Sequence, residues 1–177
     1  MAKEVMVDLE TMAATNNASI VSIGAVMIDT EQLNTVSDFY ITVDLESCAP
    51  YGFDVEASTV LWWLQQSEHA RMQLTGDKRF PIDEALKQFA VWCGNRPVWG
   101  NGATFDNVIL RNAYRRVGQK CPWHYRNDRC YRTMKELFPE ASVPPPNEKK
   151  HDALADAHWQ AQHLINIYKF IRSGERA

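Results

Sequence analysis

An α/β architecture is predicted for this chain, with three strands in succession followed by helices that alternate with short strands. Three observations carry that expectation. Apolar, β-rich runs occupy residues 5–12, 19–28 and 38–45; helical periodicity takes over from residue 54; and a proline-rich stretch at 138–150 isolates one long closing helix. With 177 residues, 45% of them hydrophobic and 11% aromatic, the chain is long and apolar enough for one globular domain, 1–177, with a sizeable core.

The elements follow in order. "VMVDLETM" (5–12) begins as a buried strand, and the polar loop "TMAATNNA" leads to "SIVSIGAVMI" (19–28), a central strand in which Gly24 allows another backbone to come close. "DFYITVDL" (38–45) makes the third strand and completes a meander. Residues 54–74 are expected to be one helix, with Val60, Leu61, Leu64 and Met72 available for its buried face. "PIDEALKQFAVWCGN" (81–95) is a second, amphipathic helix with Pro81 at its start and Gly94 at its end, and it delivers the chain to a short buried strand at 97–100. A helix over 104–118 has Thr104 as its expected N-cap and Gly118 as its stop. "PWHY" (122–125) is expected to be a fifth strand before a helix at about 128–138. Prolines then forbid a helix until 152–173.

The net charge of −3 does not suggest a protein that coats nucleic acid through bulk positive potential, yet the charges are unevenly placed. Residues 1–60 hold ten acids and one base, Lys3. Residues 111–135 hold eight bases and one acid, Asp128. Such asymmetry suits an acidic, cation-holding centre beside a phosphate-attracting rim, or else a solvated helix face. Cys48, Cys93, Cys121 and Cys130 have neither CxxC spacing nor paired histidines, so reduced structural thiols are expected in place of zinc ligands or disulfides. No apolar run approaches the ~18 residues of a membrane span and no leader pattern opens the chain, from which a cytoplasmic protein is expected.

Alternation along the first strand places Asp8 and Glu10 on one face and Val5, Val7 and Leu9 on the other. Two carboxylates on an otherwise dry strand repel each other and lose hydration unless something positive lies between them. Two further acids fall at helix beginnings, where the helix dipole favours an ionised carboxylate: Asp106 after the strand at 97–100, and Asp156 one turn into the last helix. Positions five apart on a helix differ by ~140° around the axis. His151 therefore shares a side with Asp156 only if the helix begins at Ala153, with Asp152 as N-cap and His151 arriving from the preceding loop.

"DLET" (8–11), "FDN" (105–107) and "HDALADA" (151–157) resemble, in order and in span, the three motifs of the DEDDh 3′-to-5′ exonucleases, the group that includes RNase T, oligoribonuclease and the proofreading subunit of bacterial replicative polymerases. "STVLWWLQQS" and "WGNGATFDN" are further similar to a compact RNase T-like branch of bacteria and phages. The resemblance covers nearly the whole chain. It implies a ribonuclease H-like fold with a mixed five-stranded sheet, two Mg²⁺ or Mn²⁺ ions bound by Asp8, Glu10, Asp106 and Asp156, and His151 as general base. It implies hydrolysis of single-stranded or 3′-tailed nucleic acid, DNA or RNA, from the 3′ end to 5′-mononucleotides, and a homodimer. One departure is visible: many relatives place Asn four residues before the second-motif Asp, where this chain has Gly102, with Asn101 one position earlier.

Four oxygen ligands suit Mg²⁺ or Mn²⁺ better than zinc, and a pair of such ions stabilises both the attacking and the leaving oxygen of a phosphodiester. Of the adjacent Trp62 and Trp63, ~100° apart on a helix, one belongs to the core and the other is available to stack on a base. Met12 is a candidate wedge against the terminal base, and Thr11, Asn101 and Phe105 complete the candidate substrate contacts. Two rivals share the fold: a binding or regulatory module without activity, and an endonuclease or resolvase. Intact motifs disfavour the first and the "HxAxxDA" arrangement disfavours the second.

Overall fold

The computed structural model describes residues 3–76, 78–149 and 151–174; of the expected proline-rich loop, Lys150 lies outside them. Strands β1 (Lys3–Thr11), β2 (Ile20–Asp29) and β3 (Asn34–Thr42) form the meander, antiparallel throughout. β4 (Val98–Gly100) joins β1 in parallel, and β5 (Asp128–Cys130) joins β4 in parallel. The sheet order is β3-β2-β1-β4-β5, a mixed five-stranded sheet.

Helices cover both faces. On one, Val5, Val7, Leu9, Ile23 and Ala25 pack with Phe89 of α3 (Ile82–Cys93) and with Ile109, Leu110 and Ala113 of α4 (Asp106–Arg116). On the other, Met6, Val26, Ile28 and Trp99 meet Ala157, Ala161, Leu164 and Ile165 of α6 (Ala153–Ser173), together with Tyr131 at the start of α5 (Tyr131–Leu137). The faces alternate as the sequence requires, so Asp8 and Glu10 share the α6 face with Met6.

Three expectations are corrected. Residues 54–74 do not form one helix: α1 (Ala57–Leu64) ends at Gln65, and Ser67 caps α2 (Glu68–Thr75) by accepting a hydrogen bond from the Ala70 backbone. Only Val60 of the proposed face packs, beside Trp63 and Ala70 against Met12 and Val21; Leu61, Leu64 and Met72 are exposed. After the break α2 brings Ala70 and Leu74 back to the same cluster. The fifth strand lies at 128–130, not 122–125: Trp123 is buried for packing, with its indole Nε1 donating to Asp128, and residues Tyr125–Asn127 form a 3₁₀ turn. Finally, Thr104 does not cap α4; Phe105 occupies the N-cap position with no side-chain cap bond. Asp152 does cap α6, accepting from the Leu154 and Ala155 backbone amides. The four cysteines are free thiols. Among the described residues no helix is long and apolar enough to cross a membrane.

Gly24 is the contact that seats α6. It pairs with Asp8 across the sheet, and a Cβ there would stand 2.2 Å from the Ala153 carbonyl carbon and 2.3 Å from the Leu154 nitrogen. The first turn of α6 thus lies directly on the β2 backbone. Because the obstacle is backbone, Gly24→Ala should lower stability by about 1–3 kcal/mol or more, read as a reduced midpoint in urea unfolding. A midpoint equal to wild type would show that the helix is not seated on this residue.

Candidate active site

Four carboxylates converge where β1, α4 and α6 meet. One ligand oxygen each from Asp8, Glu10 and Asp156 lies within 4.8 Å of the others. Asp106 stands beside them, almost fully buried, accepting a hydrogen bond of 3.2 Å from the Leu9 backbone N–H. It reaches there because Gly100 precedes it: a side chain at that position would begin 2.9 Å from the Asp106 Cβ and 2.5 Å from the Asn107 Oδ1. Asn107 in turn donates to the Val98 carbonyl, which fastens α4 to β4.

The second contact that holds the cluster was not anticipated from sequence. Gln160, one turn beyond Asp156 on α6 and 5% exposed, donates from Nε2 to Asp8 Oδ1 at 2.7 Å. This fixes one oxygen of Asp8 and leaves the other to the cluster. The i, i+4 spacing from Asp156 is the signal that could have found it, since both side chains then lie on one face.

Crowding has an electrostatic consequence. Burial, then the charges of Asp156, Asp152 and Asp106, pushes the Glu10 carboxyl up to about 8. Burial raises Asp106 to about 7, against the opposing hydrogen bonds from Leu9 and Asn101 and the nearby Arg132 guanidinium. Asp8 is raised well above the usual range by burial and by the charges of Asp106 and Glu10, with the Gln160 bond working the other way. A cluster that resists its own ionisation is one that a cation stabilises, and four carboxylates are hard oxygen donors that fit a small divalent ion.

His151 lies at the loop end, with a positive φ of 63°, and its backbone N–H donates to Asp156 Oδ2 at 3.1 Å. Asn147 Nδ2 donates to Asp156 Oδ1 at 2.7 Å, and Trp159 Nε1 to the Pro145 carbonyl at 2.7 Å. Both oxygens of the Asp156 carboxylate thus hold the loop. The His151 ring meets the edge of Trp62, with centroids 4.7 Å apart at 83°, and Asp152 contacts His69 Nε2 at 3.2 Å.

Of the two tryptophans, Trp63 is the core residue, 1% exposed and donating from Nε1 to the Thr11 carbonyl, whereas Trp62 is 39% exposed. Met12 is buried beside Trp63, and Thr11 is buried with its Oγ1 donating to the Ala13 carbonyl, so neither offers an open face. Asn101 and Phe105 line a cavity of about 450 Å³ that opens onto Asp8 and Asp106, together with Asn16, Thr104 and Arg132. A second cavity, of about 540 Å³, opens beside His151 between Gln66, Ser67, His69, Glu148 and Lys149.

Solved structures share the fold. Escherichia coli exonuclease I in complex with a dT13 oligonucleotide is 14% identical over 98% of this chain and 43% of its own, with a TM-score of 0.71. The zinc-bound form of the E. coli exonuclease I complex with single-stranded DNA gives 0.69 at 14% identity, with 98% of this chain and 43% of that one covered. Exonuclease I from Methylocaldum szegediense gives 0.66 at 14% identity, with 98% and 43% covered. The chain spans less than half the length of these proteins. No curated protein sequence matches it. The fold is the ribonuclease H-like fold of these neighbours. Residues 3–168 match the 3′-5′ exoribonuclease Rv2179c-like domain, and the chain belongs to that family.

The raised carboxyls give a pH dependence of definite sign. Between about pH 4.5 and 8 the folded, cation-free protein holds protons on Glu10 and Asp106 that an unfolded chain has released. Those groups therefore cost stability increasingly as pH rises through that window. Mn²⁺ removes the cost, so the rise in Tm on adding it should be larger at about pH 8 than at about pH 6. Equal rises at both pH values would mean that no cation sits among these acids.

Proposed function

We propose that the chain removes 5′-mononucleotides one at a time from the free 3′-hydroxyl end of single-stranded nucleic acid, RNA in preference to DNA, with Asp8, Glu10, Asp106 and Asp156 as the cation ligands and His151 as general base. The observation that carries this reading is the meeting of the Asp8, Glu10 and Asp156 ligand atoms within 4.8 Å, beside a histidine whose backbone is bonded to one of them. The RNA preference is supported by the family description, and the single-stranded substrate by the oligonucleotide complexes among the structural neighbours.

Asp8, Glu10, Asp106 and Asp156 would hold two Mg²⁺ or Mn²⁺ ions, which would supply charge stabilisation at the attacking and leaving oxygens. The chain's own residues do the rest. Gln160 orients Asp8, and Leu9 N–H and Gly100 orient Asp106. His151 accepts a proton from water as the water oxygen bonds to phosphorus; the bond to the 3′-oxygen of the penultimate nucleotide then breaks, and that oxygen is protonated. Trp62, exposed at the rim and in contact with His151, presents an aromatic face for the terminal base.

The reading also includes a cytoplasmic homodimer in which the basic segment 111–135, apart from Arg132, which lines its own chain's cavity, serves the partner's site; sedimentation showing only a 20.3 kDa species at micromolar concentration removes it.

Asp8→Asn and Asp156→Asn should abolish release of mononucleotides from a labelled oligonucleotide, as should EDTA. Turnover undiminished in both variants would remove the ligand assignment. His151→Ala should lower kcat by about 10²–10⁴-fold while substrate and Mn²⁺ binding stay near wild type. Loss of Mn²⁺ binding would make His151 a ligand or a structural residue instead. A strand blocked at its 3′ end should survive; internal cleavage of it identifies an endonuclease. Matched RNA and DNA strands digested side by side decide the sugar.

A further inference from the structure

Arg132 has no part in the resemblance to the DEDDh exonucleases, yet it faces the site. It stands at the second position of α5 and is exposed; among the described residues the one side-chain hydrogen bond its guanidinium makes is to the Asn101 backbone carbonyl, at 3.0 Å. Gly102, with φ at 118°, leaves room for it: the guanidinium lies 3.6 Å from where a Cβ would be. With Asp8 and Asp106, it lines the cavity of about 450 Å³ described above, whose other polar walls are Asn16, Asn101 and Thr104. The remaining guanidinium donors are free to meet a ligand in that cavity, and an anion with several oxygens suits the fork of a guanidinium.

Sheet order says which part of the substrate lies there. β1 carries Asp8 and Glu10. His151 lies toward the β2 side, because α6 begins on Gly24, whereas Asp106, Asn101 and Arg132 lie toward β4 and β5. In-line displacement at phosphorus places the leaving oxygen opposite the attacking water. If His151 receives the water's proton on the β2 side, the leaving 3′-oxygen and the nucleotide that bears it occupy the β4–β5 side. That nucleotide is the penultimate one, and its own 5′-phosphate is the next anion along the strand.

We propose that the cavity beside Asp106 is the subsite for the penultimate nucleotide, and that Arg132 binds the phosphate on its 5′ side. The inference rests on the general-base reading of His151 for its direction. Arg132 thereby makes the enzyme sensitive to one phosphate beyond the scissile one, and gives a dinucleotide end with a 5′-phosphate an advantage over one without.

Two RNA dinucleotides, ApA and pApA, test this, because they differ only in that phosphate. Wild type should favour pApA by about tenfold or more in kcat/KM, the size of a charge-assisted contact. Arg132→Gln should bring the ratio near one, and Arg132→Lys, which keeps the charge without the fork, should restore part of it. On a longer RNA, the salt dependence of binding should fall by about 0.7 in log–log slope for Arg132→Gln, one phosphate contact on a single strand. Calorimetric binding of the two dinucleotides in Ca²⁺ reads the same difference without turnover, so a poorly active variant still gives an answer. A variant that keeps the wild-type preference for pApA, or that weakens ApA and pApA alike, overturns the proposal. His151→Ala separates the two readings: it should lower kcat on both dinucleotides and leave their ratio intact, whereas a wild-type kcat in that variant refutes the general base while the Arg132 ratio is still measured on its own.

Discussion

Four carboxylates that repel one another are held in one small volume, and most of what positions them is backbone. Left to themselves they would separate or take up protons, which is the direction in which Asp8, Glu10 and Asp106 are pushed. The sheet resists separation because β1 is paired on both edges, with β2 on one side and β4 on the other. The two helices that bring the remaining acids are brought close by glycines: Gly24 under the first turn of α6 and Gly100 beneath Asp106. A methyl group at either position would collide with main chain or with the acid itself. That repulsion is what a divalent cation placed among them would relieve.

Around the acids, neutral donors divide the work. Gln160 takes one oxygen of Asp8, the Leu9 amide one of Asp106, and Asn147 and the His151 amide one each of Asp156. Each such bond fixes a carboxylate in angle without neutralising it, whereas a lysine or arginine in the same place would compete with the cation. The nearest guanidinium, Arg132, bonds a backbone carbonyl instead and stays at the rim of the cavity. The loop before α6 is tied by the same economy: the donors that orient Asp156 also set where His151 begins, and Trp62 bounds its ring on the outer side.

Much of this was legible in the chain. The parity of "VMVDLETM" fixed the common face of Asp8 and Glu10, since alternation is a property of any strand, and Gly24 signalled a close approach before its partner was known. The start of α6 followed from Asp152 and the prolines before it, because capping and proline geometry are local. Local rules failed where burial outvoted them. Residues 54–74 read as one helix, but Ser67 caps a second, and three of the four residues assigned to its core face are exposed. The apolar look of 122–125 came from Trp123, which packs on α3 and α4, while the true strand "DRC" is unremarkable in composition and is held by its pairing with β4.

The sequence by itself determined the acids, their order, the histidine beside them, and the α/β alternation, because these depend on residue identity and on periodicities of two and 3.6. It did not determine which side of β1 each group occupies. That follows from strand order: a parallel β4 places Asp106 and Arg132 on one flank, and the seat of α6 on Gly24 places His151 on the other. Nor did it reveal Gln160 against Asp8, 152 residues apart in the chain, or which of Trp62 and Trp63 meets solvent. Such contacts join segments whose separation is bridged only by packing, and no local pattern encodes the distance between them.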